Sequence, residues 1–231
     1  VSIMTPSKTR RRRLLVINPN ATQSMTDDIA DAARNAAGEN VEIIAKTNTQ
    51  GPKSIQGAED GDAAVPGVLS LIESAENVDA AVIACFDDTG LSEARSIASF
   101  PVIGVGEASY ILACILAPNS KFSVVTTLAV SIPVLEGNIE RGGWKHQCSR
   151  IRASGIPVLA LESDPGALDR LAEEILLAEA QDGVGAVVLG CAGMGRHLEQ
   201  LVERTHTHLV EPVAAATRLA LVAASSCTGY T

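Results

Sequence analysis

The feature that most constrains this chain is an apolar run that occurs twice. Val78-Asp79-Ala80-Ala81-Val82-Ile83-Ala84-Cys85 ends on a cysteine and opens into Phe86-Asp87-Asp88-Thr89-Gly90. The second run begins 106 residues later: Val184-Gly185-Ala186-Val187-Val188-Leu189-Gly190-Cys191 has the same length, ends on the same residue type and opens into Ala192-Gly193-Met194-Gly195. Short apolar runs bounded by turn residues read as strands buried on both faces, each delivering one thiol to its carboxyl end. A second landmark has nearly the same period. The strand-like run 14–17 stops at Asn18-Pro19-Asn20, and its counterpart 122–125 starts 108 residues later and stops at Thr126-Thr127. Two landmarks with one spacing describe an internal repeat.

Between these landmarks the chain alternates in type. After 14–17 come a helix with Thr22 as N-cap that ends at Gly38, a strand at 41–45, and a polar connection at 46–56 long enough to be a candidate for function. A helical stretch follows at 58–76, with a kink expected at Pro66-Gly67, then the first cysteine run, a helix at 91–99, a strand at 101–105 and a helix at 107–116. The second copy reads as strand 122–125, helix 132–142, strand 156–161, helix 165–180 with Asp164 as N-cap, the second cysteine run, helix 195–204, a short strand at 208–210 and an Ala-rich helix at 212–224. Strands alternating with helices call for parallel sheets, whose functional groups gather at the carboxyl ends of the strands. The expected fold is therefore α/β: two pseudo-symmetric lobes, each a parallel sheet flanked by helices, with the active-site cleft between them. Residues 1–13 form a disordered leader, 14–118 the first lobe and 119–231 the second, with room for part of the C-terminal segment to pack on the first. If the lobes face each other about a pseudo-twofold axis, Cys85 and Cys191 approach the cleft from opposite sides.

Composition narrows the function classes. A net charge of −9 argues against a nucleic-acid partner, and the one basic run, Arg10 to Arg13, reads as a solvated tail. Five cysteines, an odd number without C-x-x-C spacing, do not form a disulfide framework; free thiols point to a reducing compartment and a cytoplasmic protein. No apolar run reaches membrane length. Gly104-Val105-Gly106 lacks the third glycine of a dinucleotide fingerprint and no Walker lysine occurs, so no phosphate loop is read. His197, His206 and His208 lie near Cys191 in sequence, but no second ligand pair completes a zinc set; they read as solvated histidines, with no metal expected. Asp87 and Asp88 fit caps, acid/base groups or metal ligands. A carboxylate beside Cys85 would raise the thiol pKa, so their side chains are expected to turn away from the sulfur.

Two opposed thiols have a definite chemistry. A thiol is a base near neutral pH when its pKa is pulled down, and a helix N-terminus beyond each cysteine strand is one means. Backbone N–H groups at Phe86, Asp87, Ala192 and Gly193 are placed to donate to an oxygen that gains charge as a carbon acid loses its proton. One thiolate removing that proton and one thiol returning it on the other face make a racemase that needs no cofactor. Free cysteine is also among the most buried residue types, so either residue taken alone reads more readily as a core position. Recurrence sets the pair apart. Cys114 in an apolar helix, Cys148 in a polar loop and Cys227 in the tail have no such counterpart and read as structural or neutral.

The chain also resembles the aspartate/glutamate/hydantoin racemase superfamily, and within it the hydantoin racemases. The blocks that carry the resemblance run in order: Asn18-Pro19-Asn20 with Ser24-Met25-Thr26, Gly51-Pro52 with Ser54-Ile55-x-Gly57, Ile83 to Asp88 with Gly90-Leu91, Pro101 to Gly104, Phe122 to Leu128, Pro157 to Glu162, and Val188 to Met194. The resemblance implies two lobes, a cleft with Cys85 and Cys191 as catalytic residues, no cofactor, and racemisation of 5-substituted hydantoins as the small-molecule substrate. It also implies a pocket lined by Asn18, Phe86, Thr126, Thr127, Ala192 and Gly193. A homo-oligomer is expected. Thr89 stands where a proline is common, and Leu209-Val210-Glu211-Pro212 departs from the usual pattern near the cleft. Allantoin, itself a ureido-substituted hydantoin, is the closest alternative substrate. A free amino acid, or binding without catalysis in a bilobal binding protein, is a more distant reading. Loss of a carbon-bound proton from the ligand separates catalysis from binding alone.

Overall fold

The computed structural model describes residues 10–226; residues 1–9 of the leader expected at 1–13, and Cys227, lie outside them. The first lobe runs β1 (Arg12–Asn18), α1 (Gln23–Ala37), β2 (Val41–Thr47), α2 (Ala58–Glu73), β3 (Ala80–Ile83), α3 (Leu91–Ile97), β4 (Val102–Gly104) and α4 (Val105–Leu116). The second runs β5 (Lys121–Thr126), a 3-10 turn (Ala129–Ser131), α5 (Ile132–Arg141), β6 (Cys148–Ala153), α6 (Ala160–Ser163), α7 (Ala167–Gln181), β7 (Val184–Gly190), a 3-10 segment (Ala192–His197), α8 (Leu198–Arg204), β8 (His208–Val210) and α9 (Pro212–Ser226). No helix among the described residues is long and apolar enough to cross a membrane.

The two sheets have the same plan. Their strand orders are β2-β1-β3-β4 and β6-β5-β7-β8, every pairing parallel, so each cysteine strand is the third of its lobe and sits between neighbours on both sides. Burial on both faces explains why β3 and β7 are continuously apolar, and alternation within β1 shows which face meets which core. Leu14 and Val16 point into a central core shared by both lobes, while Leu15 and Ile17 point into an outer core under α2 and α3. Val125, Val187 and Leu189 do the same for a second outer core beneath α6, α7 and α8.

The helices do not respect the division at residue 118. Helix α4, which ends the first lobe, packs on β7 and β8 of the second, and α9, which ends the second, packs back on β3, β4 and α1. The exchanged helices lie against each other, and their small residues (Ala108 and Ala113 on α4; Ala215, Ala216, Ala220 and Ala224 on α9) let these layers approach closely. An aromatic group closes the same joint. Tyr110 of α4 meets Phe86 edge-on at 5.7 Å, stacks on Phe122 at 5.8 Å and tilts against Trp144 at 5.2 Å. With only six aromatic residues in the chain, four are spent on this contact between lobes.

Several local expectations change. Strand β1 begins at Arg12, inside the basic run read as a tail, where the Arg13 N–H reaches Asp79 Oδ2 at 2.7 Å. The strand expected at 156–161 is instead a turn followed by α6; the strand is β6, at 148–153. Pro157 has no N–H for a ladder and Gly155 takes a positive φ of 71°, while Ile156, Val158 and Leu161 still reach the core from the turn. β6 was disguised because Arg150 and Arg152 interrupt it; both pair with Asp182 at the end of α7. Cys148, read as a loop residue, begins that strand. Finally, α2 passes through Pro66 without a break. Thr22 occupies the N-cap of α1 but donates its hydroxyl to Lys53 O at 2.6 Å rather than capping the helix.

Candidate active site

The segment after β3 is held from three sides. The Ala84 N–H continues the ladder onto Ile17 O at 2.8 Å, and the Asp88 N–H closes a turn on Cys85 O at 2.9 Å. Asp88 then accepts the N–H groups of Gly106 and Glu107, both at 2.8 Å, so its carboxyl caps α4 rather than the helix that follows it in sequence. Asp88 adopts φ 53°, a left-handed conformation that Asp tolerates better than most residues. From the other lobe, Asn138 on α5 donates to Asp87 O at 2.8 Å. Glycine is required at position 106, where a Cβ would lie 2.6 Å from Phe86 O. After β7 the arrangement is simpler. The Met194 N–H bonds to Cys191 O at 3.0 Å, and Thr126 Oγ1 donates to Gly190 O at 3.1 Å. Glu211, in the segment that departs from the usual pattern, caps α9 through Val213 N at 2.9 Å and Ala214 N at 2.6 Å.

Between the two segments lies a narrow cleft with about 390 Å³ of empty space, its mouth included. Cys85, Phe86, Thr126, Thr127, Cys191 and Ala192 all line it, so six of the eight residues singled out from sequence meet there. Asn18 and Gly193 do not. The Asn18 side chain is fully buried one layer behind, where its amide donates to Asn20 Oδ1, Thr22 O and Thr26 Oγ1 and its oxygen accepts the Asn20 N–H. It shapes the turn that carries Asn20 to the wall. Gly193 turns its N–H to the Cys191 sulfur. Sequence reasoning missed Asn20, Met25, Ile55, Ser131 and Val158, which also line the cleft. Ile55 comes from the long connection flagged as a candidate for function; the neighbouring Gln56 accepts the Val158 N–H at 3.2 Å across the lobes.

Electrostatics reverse one expectation. Burial pushes the Cys85 thiol far above its ordinary range; nearby Asp87 pushes it further, while the Thr89 hydroxyl and the Asp87 N–H pull the other way. Cys191 is pushed up to about 11, again mainly by burial, against donors at Gly193 and Met194 and with Asp87 adding to the rise. Desolvation outweighs the backbone donors, and the segment after Cys85 is a turn, with α3 not beginning until Leu91. Burial thus biases both thiols toward the protonated form, the reverse of the lowering expected from helix N-termini. The N–H groups of Asp87 and Gly193, expected to face substrate, are directed at the sulfurs instead. Of the two carboxyls expected to turn away, Asp88 does so and Asp87 does not: it lines the cleft and acts on both thiols, and burial pushes it up to about 7. His197 meets Leu161 O at 3.0 Å and His206 meets Glu179 at 3.2 Å; among the described residues no group of three or more His, Cys, Asp and Glu is placed to hold a metal ion.

This arrangement has relatives. The sequence profile of the Asp/Glu/Hydantoin racemase family matches residues 14–220. A hydantoin racemase from Rhizobium meliloti is 41% identical over 208 residues, covering 89% of this chain and 86% of the relative. Among solved structures, an allantoin racemase from Klebsiella pneumoniae superposes with a TM-score of 0.89 at 37% identity, covering 93% of this chain and 88% of the other. One from Pseudomonas fluorescens superposes at 0.87 and 32%, covering 91% and 89%. The two-lobed fold thus recurs in proteins related across nearly the whole length, and the chain belongs to the Asp/Glu/Hydantoin racemase family.

Proposed function

We propose that this protein racemises 5-substituted hydantoins by two-base proton transfer, without a cofactor, with Cys85 and Cys191 as the bases. The observation that carries the reading is that thiols from the two lobes line one cleft. In a hydantoin the C5–H lies beside a carbonyl, so removing the proton places negative charge on that oxygen. One cysteine, as thiolate, takes the C5 proton and becomes a thiol; the opposite thiol gives its proton to the other face and becomes the thiolate, so atoms and charge balance. The N–H groups aimed at the sulfurs favour whichever one is ionised, and those of Phe86 and Ala192 remain for the substrate oxygen. Phe86, Thr126, Thr127 and Ala192 then contact the ring, with Asn18 and Gly193 acting from behind the wall. The names of the relatives support both a hydantoin and allantoin as substrate, and polarimetry of 5-alkyl hydantoins, 5-aryl hydantoins and allantoin ranks them. Free thiols at both positions suit a cytoplasmic setting, and exposed Ile111 and Ile115 on α4 with Val222 on α9 support self-association.

The mechanism is tested by separating exchange from inversion. Each pure enantiomer is followed by proton NMR in deuterated buffer, corrected for spontaneous exchange. Cys191→Ser is expected to abolish racemisation while Cys85 still exchanges the C5 proton of one enantiomer; Cys85→Ser is expected to exchange the other. Full racemisation by either variant, or the same enantiomer exchanged by both, defeats the opposed-thiol mechanism.

A further inference from the structure

Among the described residues, Asp87 is the one ionisable residue besides the two thiols that lines the cleft, and it also borders the neighbouring pocket beside Asn138. Its main chain is fixed on both sides: the carbonyl accepts from Asn138 and the N–H faces the Cys85 sulfur. Its carboxyl is not. Among the described residues no donor or cation bonds either oxygen, and burial is the sole influence on its protonation. The neighbouring Asp88 makes the contrast, both its oxygens being taken up by the α4 N-terminus. A carboxyl placed like Asp87 is costly twice. It is partly withdrawn from water with no partner among the described residues, and its charge opposes the thiolate that the reaction needs. Nothing among the described residues returns that cost, so the gain lies with what enters the cleft.

A cyclic ureide presents two ring N–H donors as well as carbonyl acceptors. The cleft is well supplied with donors for the carbonyls, from backbone N–H groups and the hydroxyls of Thr127 and Ser131, the Thr126 hydroxyl being given to Gly190 O. Strong acceptors are scarce: Asn20 Oδ1 already receives Asn18 and Thr22, and Gly190 O already receives Thr126. We propose that Asp87 is a specificity-determining residue of this site, whose free carboxyl oxygen accepts one ring N–H of the cyclic ureide and so orients C5–H between the two thiols. The inference rests on the hydantoin reading above. It accounts for a carboxylate that a purely thiol-based site would be better without, and it marks the side of the cleft on which the ring nitrogen lies.

The test is a double-mutant cycle between protein and substrate. Wild type, Asp87→Ala and Asp87→Asn are assayed by polarimetry on one 5-alkyl hydantoin and on its N1-methyl and N3-methyl derivatives, after matching thermal melts show that the variants fold. For wild type, methylation of one nitrogen, and not the other, is expected to lower kcat/KM by about tenfold to a hundredfold, the range for a hydrogen bond to a charged group. Asp87→Ala is expected to lose a comparable factor on the parent hydantoin, mostly in KM, and to be indifferent to that methyl group. Asp87→Asn keeps an acceptor oxygen and should recover part of the loss. Equal methylation penalties in wild type and Asp87→Ala, or unchanged kcat/KM for Asp87→Ala on the parent, overturn the inference while leaving the racemase reading intact. A wild-type protein inert toward every hydantoin overturns both.

Discussion

Replacing Asp88 with alanine should loosen the whole Cys85 segment, and the size of the effect follows from what the carboxyl holds. It accepts two N–H groups of the first turn of α4 at 2.8 Å each, and these have no intrahelical partner of their own. Losing a side-chain cap costs about 0.5–2 kcal/mol, and leaving a buried donor unsatisfied costs about 1–3 kcal/mol. Alanine must also hold the φ of 53° that Asp tolerates, adding about 1 kcal/mol. Because the space vacated by the carboxyl lets water reach part of the helix end, the terms overlap, and a total of about 2–4 kcal/mol is expected. With a urea slope of about 2–3 kcal/mol/M, that is a fall of roughly 1 M in the unfolding midpoint. Asp88→Asn keeps the left-handed conformation and one acceptor oxygen and should lose about half as much. Burial pushes Asp88 up to about 7 against the pull of its two donors, so loss of charge alone is the milder change. Activity should fall too, since α4 anchors the turn that sets Cys85, Phe86 and Asp87. An alanine variant within about 0.5 kcal/mol of wild type that keeps its kcat would show that the α4 cap does not hold the Cys85 segment.

Two further tests address the scaffold. In the second lobe Arg152 donates to Asp182 through Nε at 2.8 Å and Nη2 at 2.7 Å, and their side chains are 9% and 1% exposed. Burial raises the Asp182 carboxyl, but Arg152, Ser123 and Arg150 together bring it below the usual range. A carboxyl depressed in the folded state contributes stability above its unfolded pKa and loses it as pH falls through the folded value. Arg152→Met should therefore cost about 3–5 kcal/mol at neutral pH, with the difference from wild type shrinking below about pH 4; a gap constant from pH 7 to 3 would refute the pairing. At the joint between lobes, the Tyr110 hydroxyl is buried without a partner among the described residues. Tyr110→Phe should be neutral or stabilising by up to about 1 kcal/mol in thermal denaturation, whereas Tyr110→Leu should lose about 0.5–1.5 kcal/mol for each ring contact. A marked destabilisation by Phe would mean the hydroxyl has an unrecognised role.

The duplicated lobe was legible because its central strands are buried on both faces. Nothing polar interrupts β3 or β7, so each reads as an unbroken apolar run, and the cysteine at each end marks a functional edge through the chemistry of parallel sheets. Strand β6 was not legible: its arginines are neutralised by Asp182, about thirty residues away, and only folding brings that charge to them. The packing of α4 on the second sheet was equally hidden, and that of the C-terminal α9 on the first lobe was only allowed for, because an apolar helix face records that it must be covered and not which sheet covers it. Asn18 and Asn20 are both plausible wall residues in sequence, yet the turn sends one side chain into the protein and the other into the cleft. The thiols show the same limit. Their identity and spacing follow from local pattern and repetition, whereas their meeting in one cleft, their raised pKa values and the unpartnered carboxyl of Asp87 arise when the lobes close around them. Periodicity is local and survives in the chain as written; desolvation and charge pairing are sums over neighbours that only the tertiary structure assembles.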